Sequence, residues 1–234
     1  MKAFLFIFLS PLIAPAASFF YTQLSAQRTR PNTRLHQAFE SIRFLGRGSN
    51  AIVRPGVVLL APSEEYHHFL RKAAVFIYAM GEDENDEYVI RGVIIDHPTA
   101  FTMGEMAEDS TNELKAFNNL LFRGGEFGGD SAFMLHSVDS LGKLTGSEAI
   151  GNSGIYQGGL EFALANNEPL DPEKVKFFFN YMEFTENELE NMLEAHQTES
   201  DGWVAVEVPP ELVLSSDYDR GDAWARLRNA INKF

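Results

Sequence analysis

Apolar residues recur along this chain at two spacings, and the spacing changes from segment to segment. GVVLLA, Gly56 to Ala61, is an unbroken apolar run of strand length that stops at Pro62, which predicts a buried strand. AAVFIYA and YVIRGVII are rich in β-branched and aromatic residues and enclose the acidic stretch GEDENDE, the pattern of a hairpin with a solvated tip. LLFRGG and SAFMLHSV predict a second strand pair around four glycines. LTGSEAIGNSGIYQGG predicts short strands and turns, VKFFFNYMEF an aromatic strand, and WVAVEVP a last strand halted by Pro209 and Pro210.

Other stretches follow the helical period. SEEYHHFLRK has Ser63 as a potential cap, acids in its first turn and Arg71-Lys72 at its end, so it predicts a short helix. MGEMAEDSTNELKAFNNLL predicts a partly helical segment and LEFALAN a brief helix. Thr185 and Glu188 match a capping box ahead of ENELENMLEA. DAWARLRNAINKF places Trp224, Leu227, Ile231 and Phe234 on one face of a terminal helix. Strands and helices intermingle without βαβ alternation and without an internal repeat. The expectation is one α+β domain.

The first residues do not belong to that pattern. MKAFLFIFLSPLIAPAASFF has a basic start at Lys2, an apolar run from Ala3 to Ile13, and small residues suited to cleavage before Phe19. A spanning helix needs ~20 apolar residues, which this proline-interrupted run lacks. Residues 1–18 therefore read as a signal peptide. Residues 19–54 hold six arginines and one acid, Glu40, the composition of a transit peptide and of a disordered leader. The Phe19-Phe20 pair at the cleavage point resembles the bipartite plastid presequence of diatoms and related algae. Import into the plastid stroma is the expectation; secretion is the alternative. The domain is expected to span 55–234.

Composition narrows the chemistry. A 45% hydrophobic share with 20 Phe is ample for a packed core, and the absence of cysteine excludes disulfides, thiol nucleophiles and thiolate metal sites. Of 19 basic and 33 acidic residues, 7 basic and 1 acidic precede Pro55, which leaves the remainder at a formal charge of −20. Duplex DNA is held largely by cations on phosphates, so this balance argues against direct DNA binding.

FRGGEFGGDSAFMLHS, from Phe122 to Ser137, is where candidate chemistry concentrates. Gly124, Gly125, Gly128 and Gly129 do not form a GxGxxG or GxxxxGK[ST] motif, and a strand pattern follows them instead of a helix. They are expected to turn the backbone between strands. Glu126, Asp130 and His136, with Asp96 or His97, are the residues that could converge on an acid–base or metal site. No HExxH or comparable metal spacing occurs, and His67-His68 would diverge by about 100° on a helix. No cofactor is expected.

In order and spacing, these segments resemble the AlgH/YqgE family across about residues 55–234. VVLLAP with FLRKAAVFIY is similar to its opening strand, and GVIIDHP to its Gly-apolar-Asn-Lys-Pro turn. LFRGGEFGGDSAFMLHS is similar to its Gly-Gly-Pro stretch and Leu-His strand, and NYMEFTENELENML to its Gly-Tyr-x-Gly-Trp block and following helix. GWVAVEVPPELVL and DAWARLR complete the order. Asp96 and His97 replace Asn-Lys, Glu126 replaces Pro, and Asn180, Glu183 and Phe184 replace Gly, Gly and Trp. The resemblance implies a mixed, largely antiparallel sheet with flanking helices. It implies no established reaction, although one bacterial member is named as a transcriptional regulator of alginate synthesis. The functional expectation is a non-catalytic regulatory or interaction module with an unidentified protein partner. The alternative is a hydrolase-like enzyme built on Asp96, Glu126, Asp130 and His136.

Overall fold

The computed structural model describes residues 38–106, 118–137, 144–166, 170–195 and 201–231. The signal segment, the leader up to residue 37, the central helix expected after Met106 and Phe234 lie outside the described residues, as does the side chain of Asp130.

Two hydrophobic alternations on one sheet determine the architecture. Strands β1 (Arg43–Arg47), β2 (Val58–Leu60), β3 (Ala74–Glu82) and β4 (Tyr88–Ile94) are joined late in the chain by β10 (Val175–Thr185) and β11 (Val204–Glu207). Their order is β1-β11-β2-β3-β4-β10, with antiparallel pairing throughout. The acidic stretch after Glu82 is the tip of the β3–β4 hairpin, as expected. There the Asp83 carboxylate accepts from the amides of Asn85 and Glu87.

In β2, β3 and β11, successive side chains enter two different cores because the pleat sends neighbours to opposite faces. Val58, Leu60, Phe76, Val204 and Val206 pack with residues of helices α4 (Pro210–Leu214) and α5 (Asp222–Ile231). Leu59, Val75, Ile77 and Ala205 pack on the other face, with Leu189 and Leu193 of helix α3 (Glu186–Ala195). Burial on both faces explains why GVVLLA is continuously apolar. The expected capping box opens α3: Thr185 and Glu188 exchange side-chain and backbone hydrogen bonds.

β10 carries the sheet onward. Its first half lies between β6 (Leu120–Arg123), which runs parallel to it, and β7 (Phe127–His136), which runs antiparallel. Its second half pairs with β4. The change falls at Asn180, a buried residue with φ +59 at a register shift. Asparagine is among the few non-glycine residues that tolerate this left-handed conformation. Beyond β7 come β9 (Tyr156–Gly158) and β8 (Ser147–Ala149), and β5 (Pro98–Thr102) pairs with β6. Short helices α1 (Met103–Met106) and α2 (Leu160–Ala165) follow β5 and β9. The fold is α+β, with an open and mostly antiparallel sheet.

Three expectations are corrected. SEEYHHFLRK forms turns and not a helix. The Asp201 carboxylate takes the Ser63 amide and the Glu65 carboxylate takes the His67 amide, so side chains take over early amides of the segment, while Arg71 keeps a helix-type bond to the His67 carbonyl. The strands around the four glycines are not partners, because β10 runs between them. The ordered sheet also begins before residue 55. β1 pairs with β11, Ala38 and Ile42 are buried, and Arg43 and Arg54 both form ion pairs with Glu207. The end of the basic leader is therefore part of the domain.

Candidate functional site

β4 leads into Ile95, Asp96 and His97, which send their groups in different directions. Asp96 is buried, and its Oδ2 accepts from the Trp224 amide at 3.1 Å, in the first turn of α5. A carboxylate is favoured there, since the first amides of a helix lack internal partners. Burial nevertheless pushes its pKa up to about 6, against the Trp224 amide and the charge of Lys176.

Lys176 is the group that the sequence reading missed. It lies on β10 on the same face as Phe178 and is fully buried. Its Nζ donates to the carbonyls of Ile95 at 2.7 Å, Val213 at 3.1 Å and Ser215 at 2.6 Å. It also lies 3.8 Å from the centre of the Phe122 ring. Burial pulls it down to about 7, while Asp96 and Asp217 pull it back up. Three carbonyls can only accept, so the three-proton ammonium is the form that fits. Val213 and Ser215 lie at the C-terminal end of α4, where a cation is favoured.

Asp96 and Lys176 therefore clamp the start of α5 and the end of α4 onto the sheet. Tyr218, between those helices, is buried with its hydroxyl unpartnered, and burial raises its pKa. All three side chains are sealed from solvent, which suits a structural clasp and leaves no approach for a substrate.

His97 faces a different neighbourhood. Its ring is half-buried and 6.4 Å from the Phe69 ring, and its Nδ1 is buried without a hydrogen bond. Burial lowers its pKa to about 4, helped by the charges of Arg220 and then Arg123. The Arg123 guanidinium lies 4.6 Å from the centre of Phe69, and Arg220 donates to the His68 carbonyl at 2.7 Å. Glu126 is exposed and stands 3.5 Å from His67.

His136 lies at the opposite end of β7, stacked 5.6 Å from Tyr156. Burial holds it below the usual histidine range. The Gly158 backbone pulls the other way, although neither ring nitrogen meets hydrogen-bond geometry. The ten residues of β7 span about 30 Å at strand rise, which separates His136 from Glu126. Asp130 lies on that strand. The five residues singled out in the sequence thus do not form one cluster. Among the described residues, no three His, Asp or Glu side chains are grouped to hold a metal ion.

The glycines are placed by packing. Gly124 and Gly125 follow β6, and Gly124 donates to the Phe179 carbonyl at 2.8 Å while its own carbonyl accepts from Ile94 at 2.9 Å. A Cβ on Gly125 would overlap the Tyr181 carbonyl, and one on Gly124 would come within 2.8 Å of Val93. Gly128 and Gly129, inside β7, have φ values of +117 and +54. A strand follows them, so no helix start stands behind these amides.

The fold belongs to a recognisable class. Residues 59–232 match the AlgH-like family model, and the chain belongs to that family. No curated protein matches it. The crystal structure of a Corynebacterium diphtheriae protein aligns with a TM-score of 0.54 and 19% identity, covering 75% of this chain and 87% of the other. The solution structure of the AlgH protein from Pseudomonas aeruginosa aligns with a TM-score of 0.50 and 18% identity, covering 74% and 87%. At these identities the likeness concerns the fold.

Proposed function

We propose that this chain is a non-catalytic regulatory or interaction module of the AlgH-like family, directed to the plastid and working through a protein partner. Separation of the reactive side chains supports this reading. Asp96, His136, Lys176 and Tyr218 are buried, and Glu126 stands about 30 Å of strand away from His136. General acid–base catalysis needs such groups within hydrogen-bond reach of one substrate. The basic leader after a signal-like segment supports the plastid address. The net charge of −20 beyond residue 54 supports a partner other than duplex DNA.

The test is affinity purification of the tagged chain from plastids of a host that uses bipartite presequences. A stoichiometric protein partner is expected. The reading fails if nothing is recovered with the chain while the purified protein turns over a metabolite. A fluorescent fusion of residues 1–54 tests the address separately, and accumulation in the medium would favour secretion.

A further inference from the structure

We propose that Arg123, Arg220 and His97 form a binding site for a phosphoryl-type oxyanion. Acids outnumber bases by 33 to 19 in this chain, so an arginine without a carboxylate partner is conspicuous. Arg43 and Arg54 pair with Glu207, Arg91 with Glu183, Arg226 with Asp222 and Arg228 with Asp201. Among the described residues, Arg71, Arg123 and Arg220 have no such partner, and the last two act on His97.

Both are fixed in place by contacts that leave charge and donors unused. Arg123 lies against the Phe69 ring, and its Nε points to the Gly125 carbonyl at a long 3.4 Å. Arg220 uses one terminal nitrogen on the His68 carbonyl. A guanidinium has five donors, so each arginine keeps a free edge. Both charges act on His97, and the Arg123 backbone N–H donates a hydrogen bond to the His97 carbonyl at 2.8 Å. The buried Nδ1 of His97 has no partner of its own.

Two guanidinium forks from separate elements, both near enough to act on one imidazole, provide more charge and more donors than a single fork. That suits a tetrahedral dianion better than a planar carboxylate, which a single fork satisfies. Asp96 turns to the Trp224 amide and Glu126 to His67. The site is made by side chains at the mouth of the glycine stretch and does not use the glycine amides as a cradle.

The experiment is an NMR titration of the purified chain with inorganic phosphate at constant ionic strength, with acetate and phosphoserine as parallel arms. A saturable shift of the His97 ring signals and a rise of its pKa by about one unit are expected, because an anion favours the imidazolium. Arg220→Gln, at an exposed position, should weaken binding about tenfold, and Arg123→Lys should also weaken it. Preference for phosphoserine over inorganic phosphate would identify an esterified ligand, and the reverse a free ion; either supports the site. An equal response to acetate overturns the phosphoryl assignment. No saturable shift, or one unchanged in both variants, overturns the site. The titration needs no protein partner, so its outcome is independent of the partner purification.

Discussion

The Lys176 ammonium donates to the Ser215 carbonyl at 2.6 Å, so a charge on the central strand closes a helix end 39 residues further along the chain. Removing that charge leaves three carbonyls without this donor, two of them buried, and Asp96 without its counter-charge. Lys176→Met should therefore destabilise the fold by about 3 kcal/mol. The double variant with Asp96→Asn should lose less than the two single losses combined, because it also removes the uncompensated carboxylate. Urea unfolding of the four proteins checks this, and strict additivity would mean that the two groups are uncoupled.

Asp96 makes stability depend on pH in a direction set by its raised pKa. Between the ordinary carboxylate value of 3.8 and about 6, the folded state holds a proton that the unfolded state has released. Its contribution is therefore greatest at low pH and is lost as pH rises through about 6. Asp96→Asn lacks this loss. Its stability relative to the parent should improve by roughly 1–3 kcal/mol between pH 4 and pH 7. A difference that stays flat across that range would show that the carboxylate ionises as freely in the fold as outside it.

His97 acts in the opposite direction. Its pKa is lowered to about 4, so between there and 6.5 the unfolded chain binds the proton that the folded chain refuses. Its contribution is present above 6.5 and lost as pH falls through 4. His97→Gln should flatten the acid limb of the stability profile, as followed by thermal unfolding between pH 4 and pH 7. A variant with an unchanged acid limb would place the destabilising proton elsewhere.

Gly125 gives the sharpest packing test. A Cβ there meets the Tyr181 carbonyl, the Tyr181 carbonyl carbon and the Met182 nitrogen, none of which can move without breaking β10. Gly125→Ala should cost more than about 3 kcal/mol. Gly81, whose Cβ would meet nothing within 4 Å, should accept alanine with a change within about 0.5 kcal/mol. Equal losses at both positions, measured by chemical denaturation, would remove the close approach as the reason for Gly125.

Most strands were legible because burial leaves a direct trace in the sequence. GVVLLA and VKFFFNYMEF are apolar since both faces of their sheet are covered, and the Thr185–Glu188 cap is spelled out in order. Asn180 stands where the family resemblance places glycine, and its φ of +59 shows the backbone requirement that either residue meets. What was hidden depends on contacts between distant segments. Nothing local reveals that β10 enters between β6 and β7, or that the carbonyls of Ile95, Val213 and Ser215 meet at Lys176. A lone lysine among phenylalanines reads as solvent-facing, although its place in an unbroken apolar run was a usable signal. Asp96 was singled out for catalysis because its type and position suit chemistry, but its partner is a helix start 128 residues away.

The same long-range pairing sets the domain's true beginning. Composition places residues up to Arg54 in a basic leader, yet Arg43–Arg47 pairs with β11, and Ile42 is buried in the main core. Burial of an isoleucine side chain alone is worth about 1.5–3 kcal/mol, and losing β1 also exposes the edge of β11. A chain starting at Ala38 keeps both β1 and the Ile42 contact. A chain starting at Pro55 should melt several degrees lower or aggregate through the uncovered strand. Thermal unfolding and light scattering of the two chains decide the matter. Equal melting with no aggregation would return residues 38–54 to the leader.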